Sequence, residues 1–563
     1  MTVLDPPTGA IGRLHIPALP RLVLVLAGFS LLTVLLFWPW LAQLSSALIG
    51  PPEDNMQDFW NSWHAAQAQG WKDFLFTRQI RFPEGTPLAY HSFAWPQIAA
   101  VAMLSRLLGA DFATILALHN LTLLASFPLG AAAMFYLARH LLGDVPGRDI
   151  GASVAGFIFA FNPWHVAQVM HHAHVSGIEF LPLFVLFYLL AHERKSMAWL
   201  AGAAAMQALS ALSCWYFFFY AFYFMVFHLL TLRLGGSKWP RGWPFLAPVL
   251  CCVLATLLIS PWLVAMASTG LASAVYYGSN MFVADVLAMI AFPSTHLLAQ
   301  FGSSIHAALT GNIWEGTVYL GLANLAFLAW ALTRKNRKMS FRYAVGGMIF
   351  FAVIAGGEAL HIGGQVTPLH LPGVVLAKLP FFANVRTPAR AMVFVYLFLG
   401  LALAQASVMA LRHRGALARG ALSLVAGLML LDFTPVHLSS TPAACPSALT
   451  GIASETGNFG VLDLPRGYGE GNAAMMLSAC HGKPIVQGET SRRMGVTLAD
   501  RLQTRDLAQQ KRQLTAAHVK YIVLHRQQGD LFRWNAADGA WAEYLSYYQR
   551  VHDGDGVTIL RVY

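Results

Sequence analysis

The chain has 563 residues, of which 56% are hydrophobic and 11% are charged, and its mean hydropathy is +0.53. An ordinary soluble chain of this length does not have that composition, so the sequence predicts a protein that crosses a membrane several times. The formal charge of +11 does not indicate nucleic-acid binding, because the Lys and Arg residues are dispersed in short loops between apolar segments.

Eleven apolar segments in the first 434 residues have the composition of membrane helices. We place them at about residues 21–43, 112–138, 150–166, 175–192, 197–213, 215–232, 243–266, 317–333, 342–358, 389–411 and 420–434. The first segment is longer than the apolar core of a signal peptide, so we interpret it as an uncleaved anchor.

The distribution of cationic residues predicts the orientation in the membrane. Short cytoplasmic loops accumulate Lys and Arg, whereas exported loops do not. The loops that we assign to the cytoplasm contain Arg13, Arg21, Arg139, Arg148, Arg194, Lys195, Arg233, Lys238, Arg241, Arg334, Lys335, Arg337, Lys338, Arg342, Arg412, Arg414 and Arg419. The opposite loop from Thr269 to Glu315 has no Lys or Arg. We therefore predict a cytoplasmic N-terminus and an exported C-terminus.

The first external loop, residues 44–111, contains two acidic residues beside aromatic ones. Asp54 and Asp58 are four residues apart, so a helix would present both on one face, and Phe59, Trp60 and Trp63 would form a stripe at the lipid headgroups. Later in the loop, segment 93–108 is short for a membrane span and has Arg106 near its end. We predict an interfacial or re-entrant helix there.

A carboxylate at the membrane face can act as a general base. Transfer from a lipid phosphate to a hydroxyl needs a group that takes the acceptor's proton, and a partly desolvated carboxylate suits this role. The alternative is that Asp54 and Asp58 are solvated loop residues without a catalytic role.

Four histidines follow the third apolar segment, in a short external turn. They are His165, His171, His172 and His174. Contacts to sugar or phosphate oxygens and plain packing are both compatible with this cluster, and we favour either over a metal site. Glu179, placed inside the fourth segment, should be paired or functional, with His174 or Arg390 as the expected partner. Tyr276 and Tyr277 could stack on a sugar ring or anchor the interface.

The last 130 residues or so differ in composition from the rest of the chain. Charged and turn residues return, and the apolar runs at Val461–Leu464, Pro484–Gln487, Tyr521–Leu524, Tyr547–Val551 and Val557–Val562 have the length of strands. With a helix expected at Arg501–Ala516, we predict a small soluble α/β domain at residues 435–563 that ends in a hairpin. Cys445 and Cys480 could form a disulfide there or remain two free thiols, and no Cys spacing indicates a metal site.

Several short motifs, in order along nearly the whole chain, resemble those of the GT-C class of bacterial integral-membrane glycosyltransferases. Asp58-Phe59-Trp60-Asn61 follows the first segment, and Phe82-Pro83-Glu84-Gly85 lies later in the same loop. The third segment ends in Phe159-Ala160-Phe161-Asn162-Pro163-Trp164-His165, and Glu315-Gly316-Thr317-Val318-Tyr319-Leu320-Gly321 opens the eighth. The arrangement of one span, a long acidic external loop, further spans and an exported domain is also similar to this class.

The resemblance implies a polytopic α-helical fold and a function. The donor would be a polyprenyl-phosphate sugar, the acceptor a hydroxyl of a glycan, lipid or polymer, and the site the periplasmic face of a bacterial inner membrane. The family's catalytic acid maps best onto Asp58, with Asp54 as the competing position. No cofactor is expected, and a divalent metal is possible but not favoured.

The donor phosphate needs cations on a face that has few. Arg386 and Arg390, at the start of the tenth segment, fit this need because a guanidinium bonds phosphate oxygens in bidentate fashion, although either could instead reach lipid headgroups. Trp314 and Glu315 close the cation-free loop and are expected to line the substrate cleft. The full set of predicted substrate-binding residues is His91, His165, His171, His172, His174, Glu179, Trp314 and Glu315.

Two other functions are compatible with the sequence. A glycolipid transporter or flippase would use the spans as a pathway, and would show several charged residues deep in them together with broken helices. A catalytically silent envelope-assembly protein would only present its C-terminal domain.

Overall fold

The structure, a computed structural model, describes residues 19–235, 241–269, 280–334, 339–379, 385–412, 415–492, 495–503, 505–525 and 539–563. Up to residue 433 the chain is mainly helical. Its helices are α1 (Leu19–Leu36), α2 (Trp38–Leu41), α3 (Asp54–Gln67), α4 (Trp95–Leu108), α5 (Phe112–Leu142), α6 (Arg148–Ala160), α7 (Pro163–His171), α8 (Phe180–Arg194), α9 (Met197–Ser213), α10 (Trp215–Gly235), α11 (Trp243–Leu258), α12 (Ser260–Thr269), α13 (Ser303–Ala308), α14 (Leu322–Leu332), α15 (Met339–Ala355), α16 (Gly373–Leu376), α17 (Met392–Ala410) and α18 (Ala416–Phe433).

Helices are found at all the predicted apolar segments. Among the described residues, six helical segments are long and apolar enough to cross a membrane, and the pair α11–α12, bent by 65°, would be a seventh if it forms one span. The helices α9, α14, α15 and α18 are apolar but shorter. The polytopic membrane character is therefore clear, whereas the count of eleven crossings stays a prediction.

Helix α17 forms the centre of the bundle. Every residue from Met392 to Val408 is buried, and the helix packs against α6 and α15. Small residues allow this close approach: a Cβ on Gly151 of α6 would lie 2.7 Å from the carbonyl oxygen of Ala404 of α17. Such packing is typical of membrane helices, where small residues let backbones come close. Helix α1, by contrast, buries only Phe29 and Thr33 and lies at the edge.

The predicted interfacial helix is present as α4. It buries Ile98 and Val101 and exposes Met103, Leu107 and Leu108. Fourteen residues extend about 21 Å, which is short of the roughly 30 Å hydrocarbon core. That α4 lies along the membrane surface stays a prediction.

The chain after residue 434 contains a four-stranded sheet. Its strands are β7 (Gly460–Leu464), β8 (Val519–His525), β9 (Gln549–Gly554) and β10 (Val557–Arg561), in the order β7-β8-β10-β9. Strands β7 and β8 are parallel, and the other pairs are antiparallel. The accompanying helices are α19 (Ser447–Ala453), α20 (Tyr468–His481), α21 (Leu498–Arg501), α22 (Leu507–Ala516) and α23 (Gly539–Tyr547).

Two details differ from the sequence prediction for this region. Pro484–Gln487 forms no strand and makes only a single bridge, Val461 to Ile485. The helix expected at Arg501–Ala516 is divided, since α22 begins only at Leu507. The terminal hairpin β9–β10 is present, and Cys445 and Cys480 form a disulfide. The domain boundary at residue 435 and the exported location stay predictions.

Six short strands precede this sheet, and a pair of them joins the two ends of the helical region. They are β1 (Ala47–Ile49), β2 (Phe76–Thr77), β3 (Thr86–Pro87), β4 (Ala359–Ile362), β5 (Gln365–His370) and β6 (Ser440–Pro442). Strand β1 pairs antiparallel with β6 (Ser440–Pro442), which follows the last membrane-type helix. The first external loop is thereby fixed to the start of the C-terminal region.

Candidate functional site

Helix α3 carries the two acidic residues that the sequence singled out. Its aromatic residues do not form the predicted stripe at the lipid headgroups: Phe59 and Trp60 are fully buried, and Trp63 is 7% exposed. They belong to an apolar cluster with residues of α5, of α20 and of the C-terminal sheet, including Met475 of α20 and Val461 of β7. The prediction was wrong because the C-terminal region covers the face that would otherwise meet lipid.

This packing turns Asp58 inward. The residue is only 6% exposed, and its carboxylate lines a water-sized cavity. Residues of α3, α4 and α5, among them Gln97 of α4, form this cavity together with Ala173. Asp58 Oδ1 lies 3.5 Å from Asn61 Nδ2, and Asp58 Oδ2 has no hydrogen-bond donor among the described residues. Burying a carboxylate oxygen without a hydrogen-bond donor costs free energy. Such unpartnered groups are typical of sites where a side chain contacts a substrate.

A chain of hydrogen bonds leads from this carboxylate to the C-terminal region. His91 Nε2 donates to Asn61 Oδ1 at 2.7 Å, and the Ser491 backbone N–H donates to His91 Nδ1 at 3.3 Å. With one ring nitrogen donating and the other accepting, the His91 imidazole is neutral. Burial lowers its pKa to about 4, although Asp58 acts in the opposite direction. His91 therefore lies behind Asn61 as seen from Asp58, and its contact to a substrate stays a prediction.

His171, the last residue of α7, and His172 and His174, which follow it, each face a carboxylate. His171 Nδ1 donates to Glu53 Oε2 at 3.1 Å and stacks on Trp314, with ring centroids 3.6 Å apart. His174 Nδ1 lies 3.7 Å from Asp58 Oδ2. The turn thus brings together residues from three separate parts of the sequence.

His172 lies between two acids. Its Nε2 is 3.9 Å from Asp54 Oδ2, and its Nδ1 is 3.7 Å from Glu315 Oε1. Burial, followed by the positive charge of Arg390, holds the pKa of His172 well below its usual range. Asp54 is also within hydrogen-bond distance of Asn472, whose Nδ2 lies 3.3 Å from Asp54 Oδ1. Asp54 is therefore more fully partnered than Asp58.

Arg390 and Glu315 form a buried ion pair. Arg390 Nε and Nη2 donate to Glu315 Oε1 at 2.9 and 2.5 Å, and both side chains are less than 10% exposed. The guanidinium also lies over the ring of Tyr216, 5.0 Å from its centroid. The pair explains how an arginine is held at the mouth of a membrane helix.

Two further arginines stand close to this pair. Arg386 lies four residues before Arg390, outside any helix, and its charge contributes to the lowered pKa of His172. Arg492, which the sequence analysis did not single out, is half-buried near Arg386 and Tyr216. Neither arginine forms an ion pair with a carboxylate in the part of the chain that the structure describes. They are cations available to an anionic ligand.

Two predicted residues have structural surroundings. His165 is fully buried, and its Nδ1 and Nε2 lie 2.6 and 3.0 Å from the carbonyl oxygens of Ala160 and Ser176, which favours packing over substrate contact. Glu179 is the residue directly before α8, and it lies within the membrane-type segment Ala173–Arg194. The predicted partners of Glu179 are wrong, because Arg390 binds Glu315 and His174 faces Asp58. Glu179 Oε2 has no hydrogen-bond partner among the described residues. Tyr276 and Tyr277 lie outside the described residues.

Carboxylates and imidazoles, which make up this cluster, are common metal ligands. Within the described ranges, no group of three or more His, Cys, Asp or Glu side chains is arranged to hold an ion. The acids are instead distributed in pairs with His or Arg. The expectation that no metal is needed stays a prediction.

Comparison with known proteins identifies the fold. No protein-family model and no curated protein matches the chain. Among solved structures, the arabinofuranosyltransferase AftD from Mycobacteria is similar over 96% of this chain, with 14% identity and a TM-score of 0.58. The match covers 41% of AftD, so the chain spans less than half of that protein.

Archaeal oligosaccharyltransferase from Archaeoglobus fulgidus is similar in two structures. The apo form matches over 94% of this chain and 73% of the enzyme, at 12% identity and a TM-score of 0.53. The form tethered to an acceptor peptide matches over 89% and 69%, at 10% identity and a TM-score of 0.50. These similarities confirm the predicted fold, which is that of the GT-C membrane glycosyltransferases.

Proposed function

We propose that this protein is a membrane glycosyltransferase that moves a sugar from a polyprenyl-phosphate donor to a hydroxyl of a glycan, lipid or polymer acceptor. The observation that carries the proposal is Asp58, a buried carboxylate with an unpartnered oxygen beside a small cavity. Arg390 and Arg386 act on His172, which is two residues from the His174 that faces Asp58. The site thus offers a base and an anion-binding region on a fold whose solved examples include glycosyltransferases.

In the proposed reaction, Asp58 accepts the proton of the acceptor hydroxyl. The acceptor oxygen forms a bond to the anomeric carbon of the sugar, and the bond between that carbon and the phosphate oxygen breaks. The electron pair leaves with the phosphate. General-base assistance of this kind contributes about 10²–10⁴ in rate. His174, 3.7 Å from Asp58 Oδ2, orients the carboxylate. The competing position, Asp54, is less suited because it already faces His172 and Asn472.

The leaving phosphate needs its charge balanced, and arginines supply this without a divalent metal in our proposal. Arg390 is held in place by its ion pair with Glu315, so it is a fixed positive charge at the site. Arg386 forms no ion pair with a carboxylate among the described residues, so it can turn toward the phosphate. Preorganised cations at the place where charge develops are an effective means of lowering a barrier.

The proposed location is the periplasmic face of a bacterial inner membrane, with the N-terminus in the cytoplasm. The absence of Lys and Arg between Thr269 and Glu315 supports an exported loop. The disulfide between Cys445 and Cys480 supports an oxidising compartment for the C-terminal region.

The test is mass spectrometry of lipids and surface glycans from a deletion strain and from the strain complemented with the intact gene. The proposal expects a polyprenyl-phosphate sugar to accumulate and one glycan or lipid to lose a sugar, with both changes reversed by complementation. If the protein were a flippase, the deletion strain would retain a lipid-linked product on the cytoplasmic face. If it were an assembly protein, the deletion strain would show unchanged sugar compositions. Either result would contradict the proposal.

A further inference from the structure

Segment 488–492 of the C-terminal region is bonded to the first external loop at two places beside the proposed base. Gln57 Nε2, on α3, donates to the carbonyl oxygen of Glu489 at 2.7 Å. The backbone N–H of Ser92 donates to Ser491 Oγ at 3.0 Å, although the two residues are 399 positions apart in sequence. These contacts hold Ser491 in a defined position against the loop.

The position of Ser491 determines which nitrogen of His91 carries the proton. The backbone N–H of Ser491 points at His91 Nδ1, at 3.3 Å. A backbone N–H can only donate, so Nδ1 must accept, and the single proton of the neutral ring lies on Nε2. The ring is 3% exposed and packs edge-on against Phe93, which keeps it in this orientation. A second ring proton would place two N–H groups against each other, in agreement with a pKa that burial lowers to about 4.

The orientation of His91 in turn determines the orientation of the Asn61 amide. His91 Nε2 donates to Asn61 Oδ1 at 2.7 Å, so the amide oxygen faces the ring. The amide nitrogen then faces the base, with Asn61 Nδ2 3.5 Å from Asp58 Oδ1. If the amide turned over, its oxygen would face the carboxylate, and the two acceptors would repel each other. Each donor and acceptor between the Ser491 backbone and Asp58 therefore has one allowed direction.

We propose that His91 is a positioning residue for the proposed base and acts through Asn61. In this role the Ser491 N–H keeps the proton of His91 on Nε2. Asn61 holds Asp58 Oδ1, which leaves Oδ2 to the acceptor hydroxyl. The inference rests on the proposed function and deepens it, because it gives the C-terminal region a part in orienting the base. No proton moves along these bonds during the reaction, since Asp58 alone accepts the proton of the acceptor.

The first experiment compares two substitutions that each keep one half of the imidazole. His91→Gln extends an amide nitrogen about as far as Nε2 and can still donate to Asn61, whereas His91→Asn reaches only about as far as Nδ1. Transfer is measured with purified full-length protein in nanodiscs and lipids extracted from the deletion strain. His91→Asn should lower kcat about 10-fold and His91→Gln by no more than about threefold, with donor affinity unchanged in both.

A double-mutant cycle tests whether His91 acts through Asn61. Asn61→Ala should lower kcat about 10-fold, and adding His91→Asn to it should cost nothing more, because His91 then has no amide to orient. Two independent structural effects would instead multiply. His64→Gln is the matched control, since His64 is also buried in the first external loop but donates to the carbonyl oxygen of Asp73. It should keep kcat within about twofold of the unaltered protein.

Nitrogen NMR reads the position of the proton on His91. In full-length protein labelled with nitrogen-15 histidine, the signal that is lost in His91→Gln identifies His91. Its chemical shifts at neutral pH should be those of an uncharged ring with the proton on Nε2. A proton on Nδ1, or on both nitrogens, would overturn the inference whatever the kinetics show.

The outcomes separate this inference from the proposed function. If the unaltered protein transfers sugar and His91→Asn has the same kcat, or if the losses multiply in the double variant, the role of His91 is refuted while the proposed function stands. Should His91→Asn fail to fold, as its thermal unfolding would show, the NMR result decides alone. If the unaltered protein transfers no sugar, both are refuted.

Discussion

Replacing Asp58 by Asn is the most direct test of the proposed base. The amide keeps the size of the side chain and can still accept from Asn61, but it cannot take a proton. Asp58 Oδ2 has no hydrogen-bond donor to lose among the described residues. The substitution should therefore leave the protein folded, with a change of no more than about 2 °C in the midpoint of thermal unfolding.

The expected loss of rate follows from the role. A general base contributes about 10²–10⁴, which corresponds to roughly 3–5 kcal/mol of barrier at about 1.4 kcal/mol per tenfold change. Asp54→Asn is the matched control, one helical turn away on the same face. Because Asp54 is about one-third exposed and partnered by Asn472, its loss should cost less than about tenfold.

The assay uses lipids extracted from the deletion strain as donor, because that strain should accumulate the unused substrate. Transfer is followed by mass spectrometry with purified variants in nanodiscs, and donor binding is measured in parallel. Asp58→Asn should bind donor normally and turn over slowly. Turnover within about threefold of the unaltered enzyme would refute the assignment of Asp58 as the base.

Three other predictions concern the surroundings of the site. Glu315→Gln should destabilise the protein by about 3–5 kcal/mol, because it leaves the buried charge of Arg390 without its partner, and thermal unfolding should show this. Stability should fall as the pH is lowered from about 6.5 to 4, because the unfolded chain binds a proton at His91 whereas the folded chain, with a pKa of about 4, does not. For His91 alone, the loss amounts to about 3 kcal/mol by pH 4. Reducing the disulfide between Cys445 and Cys480, which are 35 residues apart, should cost about 4 kcal/mol, measurable as a lower unfolding midpoint in reductant.

Matched variants make these outcomes interpretable. Glu53→Gln removes a more exposed acid of the same cluster and should cost less than Glu315→Gln. His91→Gln should flatten the pH dependence between about 6.5 and 4, and an unchanged slope would show that other histidines cause it. If the Cys445→Ser protein unfolds at the same temperature as the unaltered protein, the disulfide does not stabilise the fold.

The local parts of the fold could be predicted from the sequence. Apolar runs predict the membrane-type helices, and the Asp54–Asp58 spacing predicts an acidic helix face. The motifs that begin at Asp58 and Glu315 pointed to the fold that the solved structures confirm. These features depend on the periodicity and length of single segments, so each can be recognised without knowing which distant residues it contacts.

The long-range parts of the site could not be predicted. Nothing near Glu315 in sequence indicates that Arg390 is its partner, and segment 488–492 has no recognised motif. The sequence predicts that the aromatic residues of α3 meet lipid, because the C-terminal region that covers them comes some 400 residues later. A polar run containing Gly, Thr and Ser next to two arginines, at residues 488–493, was the available signal for a binding segment.

The pairing of β1 with β6 has a consequence for how the protein is made. Residues 47–49 emerge early in synthesis, but their partners at 440–442 are added some 390 residues later, which takes about 20–80 s at ordinary rates of translation. During that interval the edge of β1 has no partner from β6, and Ser491, whose backbone N–H donates to His91, has not yet been added. The first external loop therefore reaches its final structure only after the last helix of the bundle has been inserted. A chain interrupted before residue 440 would contain every acid of the cluster and still lack a completed site.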